Sequence, residues 1–414
     1  MTSPLFQINP NYSADVSAPL RYASGLFRDH LSEEEIRAVS LKEGFRAVEL
    51  ESYRGVPLWL LDETTQMRSG TYKSLDGCIS TALSKKLGFK QVAFSSGSNA
   101  GSALTEYGTR AGLETFFFCP VTTFYKLDGK LFQSKQAHLI AVEGSDQRVK
   151  EASKIFSEMA DVPLIPRLEW RLLSSGIRGF FIAETMRNRE KGFDWFAQAI
   201  CAGFGPIGIF QALESLADAA AIPRSWIPRF LGIQQAGLSP IATAWADGLS
   251  QLKEPESTWS ESSIEPGLYN TNPSQTYPLL YEILNRAGGD VITVRQAEFP
   301  SYLEKFVDLL SNAGITLMTI QKGEKKEYLE RAGLLAGAGT LKAIDDGGVQ
   351  AGETVLCSLS GGTRMQPPST VSPEFHIRED ASLKEQVEDY VKHLHSQATK
   401  VPGNMAWTGN ASAP

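Results

Sequence analysis

Short apolar runs alternate with helical patterns along most of the chain. The apolar runs have the length of buried strands, and the segments between them place apolar residues at helical spacing. The predicted strands are 56–61, 91–94, 115–119, 138–142, 195–202, 229–233, 291–294 and 354–359. The predicted helices are 32–42, 75–87, 100–112, the segment from the glycine turn at 203 to 220, 301–313, 326–344 and 383–395. This alternation predicts an α/β fold with a mostly parallel sheet covered on both faces.

Three stretches fall outside this alternation. Residues 1–50 form an N-terminal lead-in, in which Ser32 followed by Glu35 predicts a helix capping box. Residues 251–275 are rich in Ser, Pro, Glu and Asn, which is typical of a long surface loop. Residues 366–414 form a C-terminal tail that starts Pro-rich and ends polar. These stretches frame the α/β core and are not predicted to be part of it.

Composition and charge narrow the class of protein. The hydrophobic fraction of 42% and the charged fraction of 21% are those of an ordinary globular protein. The net charge of -7 offers no basic field for a phosphate backbone, which argues against a nucleic-acid partner. No run reaches the ~18 apolar residues that a membrane helix needs, and no signal pattern is visible. We therefore expect a cytoplasmic enzyme without a nucleic-acid or membrane partner.

The four cysteines are widely separated and lie in apolar surroundings, with no CxxC pair and no nearby cluster of histidines. This pattern predicts buried thiols, with no disulfide and no metal site. The residues are Cys78, Cys119, Cys201 and Cys357. Cys78 follows Lys73 by five residues, so a nucleophilic role is an alternative that we consider much weaker.

Lys73 is the most informative candidate for chemistry. It ends the run Ser69-Gly70-Thr71-Tyr72-Lys73, directly before a predicted helix. A lysine in such a position can hold an aldehyde cofactor as an imine. The alternative is a solvated surface lysine, so the interpretation depends on the segments that follow.

A Ser/Gly/Asn-rich segment at 95–101 follows a predicted strand and opens a helix. Small residues let backbone N–H groups approach a ligand, and a helix N-terminus favours an anion such as a carboxylate. Ser95, Ser96 and Ser98 are therefore candidate substrate residues, and Asn99 can hydrogen-bond a cofactor ring. The alternative is an ordinary polar helix cap.

A glycine-rich loop at 203–208 also lies between a predicted strand and a helix. Its spacing is that of a loop that surrounds a phosphate with backbone donors. A dinucleotide site is disfavoured because the loop lies in the middle of the chain and Pro206 lacks an N–H. The remaining alternative is a tight turn from strand to helix.

A third segment, 357–362, ends the last predicted strand and places Ser358 and Ser360 where a hydroxyl can face a pyridine nitrogen. The alternative is that these serines are only the hydrophilic end of a strand.

Together these segments resemble the fold-type II pyridoxal-phosphate enzymes, in particular the branch of threonine synthase and cysteate synthase. The resemblance covers about 58–362 and rests on the order of the motifs. These are LWLLDE at 58–63, SGTYK at 69–73, SGSN at 96–99, TRAG at 109–112, GKL at 129–131, AVEG at 141–144 and FLGIQQAGLSPI at 230–241. It implies a tryptophan synthase β-like fold with two parallel-type α/β domains and the cofactor between them. The large domain would comprise 51–95 and 180–365 and the small mobile domain 96–179, in a homodimer.

The resemblance also implies a role for each candidate residue. Lys73 would carry pyridoxal 5'-phosphate as an imine and act as the catalytic base, and Asn99 would hydrogen-bond the ring hydroxyl. Ser360 would face the ring nitrogen, with Ser358 as the second candidate. The residues that would surround the phosphate are Gly203, Phe204, Gly205, Ile207 and Gly208.

The resemblance implies an amino-acid substrate and a lyase or synthase. A hydroxyl beside the ring nitrogen suits β- or γ-elimination or replacement better than transamination. The family follows its lysine with Asp-Arg-Gly, whereas here Ser74-Leu75-Asp76-Gly77 follows, and Ser98 and Ala100 also depart from the family pattern. The segment 321–324 replaces an expected acidic-proline-alanine-serine run. These departures argue against phosphohomoserine, the substrate of threonine synthase, and a homologue that kept the fold without activity is an alternative. A cysteate-synthase-like replacement on a phosphorylated serine is a specific variant, since Asn270-Thr271-Asn272-Pro273 is similar to that enzyme.

Overall fold

The structure is a computed structural model that describes residues 16–27, 29–253, 263–363 and 368–398. The chain forms two compact units. Unit 1 comprises Met1–Leu75 and Leu168–Pro367, and unit 2 comprises Asp76–Arg167 and Pro368–Pro414. Parts of the predicted lead-in, surface loop and C-terminal tail lie outside the described residues.

Helices and strands alternate over most of the described chain. The helices are α1 (Ala18–Arg21), α2 (Ala23–Leu26), α3 (Glu33–Arg37), α4 (Lys73–Lys86), α5 (Asn99–Arg110), α6 (Asp146–Ala160), α7 (Leu168–Arg189), α8 (Phe204–Asp218), α9 (Pro240–Ala246), α10 (Tyr277–Ala287), α11 (Phe299–Asn312), α12 (Ala332–Asp345) and α13 (Leu383–Ala398). The strands are β1 (Arg46–Tyr53), β2 (Val56–Asp62), β3 (Gln91–Ser95), β4 (Glu114–Pro120), β5 (Ala137–Val142), β6 (Trp195–Ala199), β7 (Arg229–Gln235), β8 (Asp290–Val294), β9 (Thr319–Lys322), β10 (Lys325–Tyr328), β11 (Val355–Leu359) and β12 (Phe375–Ile377). Short 3-10 helices lie at Val121–Lys126, Gly129–Phe132, Arg224–Trp226 and Pro266–Leu268.

Unit 1 is built on a sheet with the strand order β1-β2-β11-β6-β7-β8. β1 and β2 form an antiparallel pair, and the remaining neighbours are parallel. Successive side chains of a strand point to opposite faces of a sheet, and β6 shows which helices cover each face. Ala197 shares a core with residues of α11 and α12. Phe196 points the other way and packs near Phe210 of α8. The predicted sheet with two covered faces is therefore confirmed.

Unit 2 has an all-parallel sheet with the order β12-β5-β4-β3. On β4, Phe116 packs with Phe156 of α6, and Phe156 in turn packs with Tyr390 of α13. The adjacent Phe117 points to α5, where Gly101 leaves no room for a Cβ because such an atom would lie 2.0 Å from the Phe117 ring. Close approach of helix and strand therefore requires glycine at this position.

The boundaries of the two units differ from those expected from the sequence, which were 95/96 and 179/180. β3 belongs to unit 2 because it pairs with β4. All of α7 belongs to unit 1, where Gly179 lies against the backbone of Ile209 in α8. The tail returns to unit 2 because β12 pairs with β5.

One predicted helix is wrong over its first residues. The sequence pattern suggested a helix over 326–344, but β9 and β10 form an antiparallel hairpin, and α12 begins only at Ala332. Gly323 has a φ of +61° at the turn, a conformation that glycine adopts without steric cost. The sequence pattern also gave no indication of α6, α7 or α10. Over the described part of the chain, no helix combines the length and apolar character needed to cross a membrane.

Candidate functional site

Lys73 is the first residue of α4, at the end of a turn lined with hydroxyl groups. Gly70 has a φ of +68°, which allows the chain to reverse. The Ser69 N–H donates to Ser74 Oγ at 2.9 Å, and the Lys73 N–H donates to Thr71 Oγ1 at 3.3 Å. These hydrogen bonds from backbone N–H groups to side-chain hydroxyls close the turn. The turn presents a half-buried lysine at the start of a buried helix.

The lysine turn is joined to the end of β11. Thr71 pairs antiparallel with Gly361, and the Tyr72 N–H donates to the Ser360 carbonyl oxygen at 3.2 Å. The Lys73 Nζ lies 4.3 Å from the centre of the Tyr72 ring. The structure therefore brings together two segments that the sequence separates widely, those of Lys73 and Ser360.

The two candidate serines of β11 have different environments. Ser358 is fully buried, and its hydroxyl donates to Glu63 Oε2 at 2.7 Å. Ser360 is half-buried and lies just beyond the last strand residue, Leu359. Since the Ser358 hydroxyl is already committed inside the protein, Ser360 is the better placed of the two to meet a ligand.

A buried ion pair that the sequence did not predict lies beside this segment. Arg178 on α7 and Glu63 after β2 have no exposed side-chain surface. The Arg178 Nε donates to Glu63 Oε1, and its Nη2 donates to Glu63 Oε2 at 2.6 Å and to Gln198 Oε1 at 2.8 Å. The Arg178 Cζ lies 4.5 Å from the centre of the Tyr72 ring. The sequence did contain a signal for a buried charge here, because Arg178 stands within the apolar stretch Ile177-Arg178-Gly179-Phe180.

The glycine loop forms the N-terminus of α8. Gly203 caps the helix in a left-handed conformation with a φ of +82°. A Cβ on Gly205 would lie 2.7 Å from Arg178 Nη1 and 2.8 Å from Gln198 Nε2. Gly208 has a different role, because its Cβ would lie 2.4 Å from the Leu172 carbonyl oxygen of α7. Gly208 therefore allows two helices to pack, as the buried Ile207 beside it also indicates.

Two groups at this loop favour an anion. The first N–H groups of a helix have no partner within the helix, and its dipole attracts negative charge. The buried Arg178 Nη1, beneath Gly205, has no hydrogen-bond partner among the described residues. Phe204 at the first helix position has the Arg171 Cζ 4.7 Å from its ring centre. A phosphate at this helix end fits both the bare backbone and the nearby cationic groups.

The serine-rich segment belongs to unit 2 and is described by itself. β3 ends at Ser95 and α5 begins at Asn99, so the segment joins a strand to a helix as predicted. Ser96 Oγ accepts the N–H of Gly101 at 3.0 Å and that of Ser98 at 3.3 Å. Ser98 is buried, has a φ of 140°, and its hydroxyl has no hydrogen-bond partner among the described residues. The helix N-terminus and the Ser98 hydroxyl are compatible with a bound anion.

The four cysteine side chains differ in burial. Cys78, Cys119 and Cys357 are buried, as predicted, whereas Cys201 is half-buried. Burial raises the pKa of Cys119 to about 12 and the pKa of Cys357 to about 12. These two groups are therefore neutral thiols near pH 7, without nucleophilic character. Within the described ranges, no group of three or more His, Cys, Asp or Glu side chains is arranged to hold a metal ion.

Unit 2 contains a separate, partly buried charge cluster around His138 on β5. Its Nδ1 lies 2.6 Å from Glu374 Oε2, and its Nε2 lies 3.0 Å from Glu114 Oε1. The ring also stacks on Phe116. Burial lowers the pKa of His138, but the hydrogen bonds to the two carboxylates outweigh it and raise that pKa to about 9. The protonated His138 ring on β5 therefore links Glu114 on β4 with Glu374, the residue directly before β12.

Comparison with known proteins agrees with this arrangement. A family model described as pyridoxal-phosphate dependent enzyme matches residues 43–317. A search of curated proteins by sequence finds no match.

Solved structures share the fold at low sequence identity. Maize serine racemase has a TM-score of 0.56 and 16% identity, covering 86% of this chain and 96% of that chain. Diaminopropionate ammonia lyase from Escherichia coli has a TM-score of 0.58 and 11% identity, covering 87% and 93%. Threonine deaminase isoform 2 from Solanum lycopersicum has a TM-score of 0.54 and 14% identity, covering 80% and 82%. At such identities the likeness concerns the fold alone.

The family model spans more than half of the chain, and it includes the lysine turn and the glycine loop. The chain belongs to the family of pyridoxal-phosphate-dependent enzymes, with pyridoxal phosphate as its cofactor.

Proposed function

We propose that the protein is a lyase or synthase that eliminates or replaces a leaving group at the β- or γ-carbon of an amino acid, including O-phosphorylated amino acids. The observation that carries the proposal is the junction of Lys73 with a neutral hydroxyl residue. The Tyr72 N–H donates to the Ser360 carbonyl oxygen, so the residue before the lysine is fixed to the serine. The amine of Lys73 and the Ser360 hydroxyl, which would be an uncharged partner for a ring nitrogen, thus belong to two hydrogen-bonded segments of unit 1.

Bound pyridoxal phosphate supplies an electron sink that makes the α-proton of an attached amino acid acidic. Lys73 would hold the cofactor's aldehyde carbon through its amine and, when released, take the α-proton from the substrate. Ser360 would hydrogen-bond the ring nitrogen without placing a negative charge there. An uncharged partner favours loss or replacement of a leaving group over transamination.

The other candidate residues complete this proposal. The backbone at Gly203, Phe204 and Gly205 would hold the phosphate, with Ile207 and Gly208 shaping the helix below it. In unit 2, Asn99 would hydrogen-bond the ring hydroxyl. Ser95, Ser96 and Ser98 would bind the substrate carboxylate at the N-terminus of α5. A homodimer is part of the proposal by resemblance to the family.

The specific branch of the family is a further part of the proposal. Threonine synthase-like chemistry is supported by the order of the sequence motifs, and a cysteate-synthase-like replacement is the second candidate. The segment 321–324, which departs from the family pattern, covers the turn between β9 and β10, where Gly323 reverses the chain. This departure therefore has a local structural reason, and it does not weigh against activity.

The first experiment tests covalent binding of the cofactor. Purified protein incubated with pyridoxal phosphate should absorb visible light, and borohydride should fix the cofactor to the peptide that contains Lys73. Lys73→Ala should abolish both signals. Lys86→Ala, in the last turn of the same helix, should change neither. Protein that takes up no pyridoxal phosphate would refute the proposed function.

The second experiment identifies the reaction. A panel of amino acids and O-phospho amino acids would be incubated with the cofactor-loaded protein, with and without added thiol or sulfite nucleophiles. Release of ammonia, keto acid or inorganic phosphate supports elimination, and a new amino acid supports replacement. Amino-group transfer or racemisation without loss of a leaving group would contradict the proposal, and silence across the panel would favour a non-catalytic homologue.

A further inference from the structure

The Tyr72 ring lies next to two cationic side chains of unit 1. The Lys73 Nζ is 4.3 Å from the ring centre, and the Arg178 Cζ is 4.5 Å from it. Both distances are within the range of about 6 Å at which a cation is attracted to the face of an aromatic ring. The ring is therefore placed to interact with the lysine as well as with the buried arginine.

Hydrogen bonds hold both the backbone of Tyr72 and the arginine beside its ring. The Tyr72 backbone N–H donates to the Ser360 carbonyl oxygen. Arg178 is held rigidly by its contacts with Glu63 and Gln198, neither of which exposes more than a small part of its surface. The ring therefore lies between the lysine and an arginine that is itself held by buried partners.

The proposed function gives this contact a purpose. Under that function, the Lys73 amine would be bonded to the cofactor before an amino acid binds and would be free while the amino acid is bound. An amine that has taken up a proton is an ammonium, the form that an aromatic face attracts. A freely rotating lysine would have to search for its reactive position at every turnover, whereas a ring contact holds it within reach.

We propose that Tyr72 is a positioning residue that holds Lys73 on its ring face once the released amine has taken up a proton and become an ammonium. Arg178 keeps the ring in place from within unit 1. The inference rests on the proposed function for its purpose, but the contact itself can be tested in protein without cofactor.

The experiment uses fluorination, which weakens the attraction of a ring for a cation while preserving its shape. Position 72 would be changed by Tyr72→Phe and then by phenylalanines that carry one, three or five fluorine atoms. The cofactor-free protein would be labelled with limiting acetic anhydride at a fixed pH, and acetylation of Lys73 would be measured by mass spectrometry. Only the uncharged amine reacts, so the labelling rate reports how strongly the ammonium is favoured.

We expect Tyr72→Phe to label as the unmodified protein does, because the ring face is retained. Complete fluorination should speed the labelling of Lys73 by about two- to fivefold, with intermediate rates for partial fluorination. A labelling rate that does not follow fluorination would overturn the proposal. Because the substituted rings have nearly the same size, a purely structural role of Tyr72 would not produce this graded response.

A matched control is available elsewhere in unit 1. The Lys305 Nζ lies 5.1 Å from the centre of the Tyr302 ring, which makes a second pair of a lysine and an aromatic ring. Tyr302→Phe and its fluorinated forms would change this pair in the same way. These substitutions should leave the labelling of Lys73 unchanged, and an equal response of Lys73 to them would count against Tyr72. The outcome is separable from that of the proposed function. Failure to bind pyridoxal phosphate refutes the enzyme, whereas unaltered Lys73 labelling across the fluorinated series refutes the positioning role.

Discussion

Replacement of Arg178 by methionine tests the structural basis of the site most directly. Both side chains of the Arg178–Glu63 pair have an exposed fraction of 0%. Among the described residues, methionine would leave the buried Glu63 carboxylate with the Ser358 hydroxyl as its remaining side-chain partner. Removal of one member of a buried pair typically costs about 3–5 kcal/mol because the other charge remains unpaired. The Nη1 of Arg178, which has no hydrogen-bond partner in the described part of the chain, lowers the net benefit of the arginine. We therefore expect Arg178→Met to lower the free energy of unfolding by about 3 kcal/mol.

The double variant Arg178→Met with Glu63→Gln separates charge from packing. It removes both charges and keeps side chains of similar volume, so it should recover more than half of the lost stability. Urea unfolding of the cofactor-free protein would be followed by tryptophan fluorescence, since Trp59 and Trp195 lie in the sheet of unit 1. Absence of cofactor keeps ligand binding out of the measured stability.

A surface pair provides the control. Arg286 and Glu214 also belong to unit 1, but their side chains are 52% and 25% exposed. Arg286→Met should cost less than about 1 kcal/mol, as is usual for ion pairs in water. The reasoning would be refuted if Arg178→Met were as mild as this control, or if the double variant were less stable than either single variant.

Three further predictions concern other parts of the molecule. His138 has a folded-state pKa of about 9, above its unfolded value of about 6.5, so its contribution is complete below pH 6.5 and is lost as the pH rises through 9. The stability deficit of His138→Gln should therefore be about 2 kcal/mol at pH 6 and vanish above pH 9, and a deficit independent of pH would contradict this. Gly205→Ala should weaken pyridoxal phosphate binding about tenfold or more in a titration, because the new Cβ would lie 2.7 Å from the buried Arg178 Nη1. Gly348→Ala should bind the cofactor normally in the same titration, because its Cβ would meet the Ala343 carbonyl oxygen at an ordinary distance of 3.4 Å. Iodoacetamide should modify the half-buried Cys201 before the buried Cys119, with the opposite order in peptide mapping counting against the assigned burial.

The sequence was most informative where local patterns decide the structure. A lysine before a helix, a serine at the end of a strand and glycines between a strand and a helix all have signals within a few residues. The parallel sheets follow from the same kind of local pattern. The prediction of α12 failed at its start because one glycine turn at Gly323 creates a hairpin within an otherwise helical composition.

Pairing between distant residues could not be predicted in the same way. Glu63 and Arg178 are 115 positions apart, and the residues next to them in sequence do not indicate that the two side chains pair. The same limit applies to the tail, since only the fold reveals that Tyr390 packs with Phe156. Such contacts depend on topology, which a single sequence without a set of relatives specifies only weakly.

The segment after Lys73 shows why a departure from a family motif need not report on the substrate. Ser74 is buried and its hydroxyl accepts the Ser69 N–H, so a serine there closes the lysine turn. Gly77 lies in unit 2 against α5, where a Cβ would be 2.7 Å from the Tyr107 ring and 3.0 Å from the Ala103 carbonyl oxygen. Both residues therefore have structural reasons that involve no ligand. Of the three positions that replace the family's Asp-Arg-Gly, Ser74 is thus explained by how α4 begins, and Gly77, one position further on, is explained by how the helix packs. The search for residues that select the substrate should therefore begin at the N-terminus of α5, where the buried Ser98 hydroxyl has no hydrogen-bond partner among the described residues.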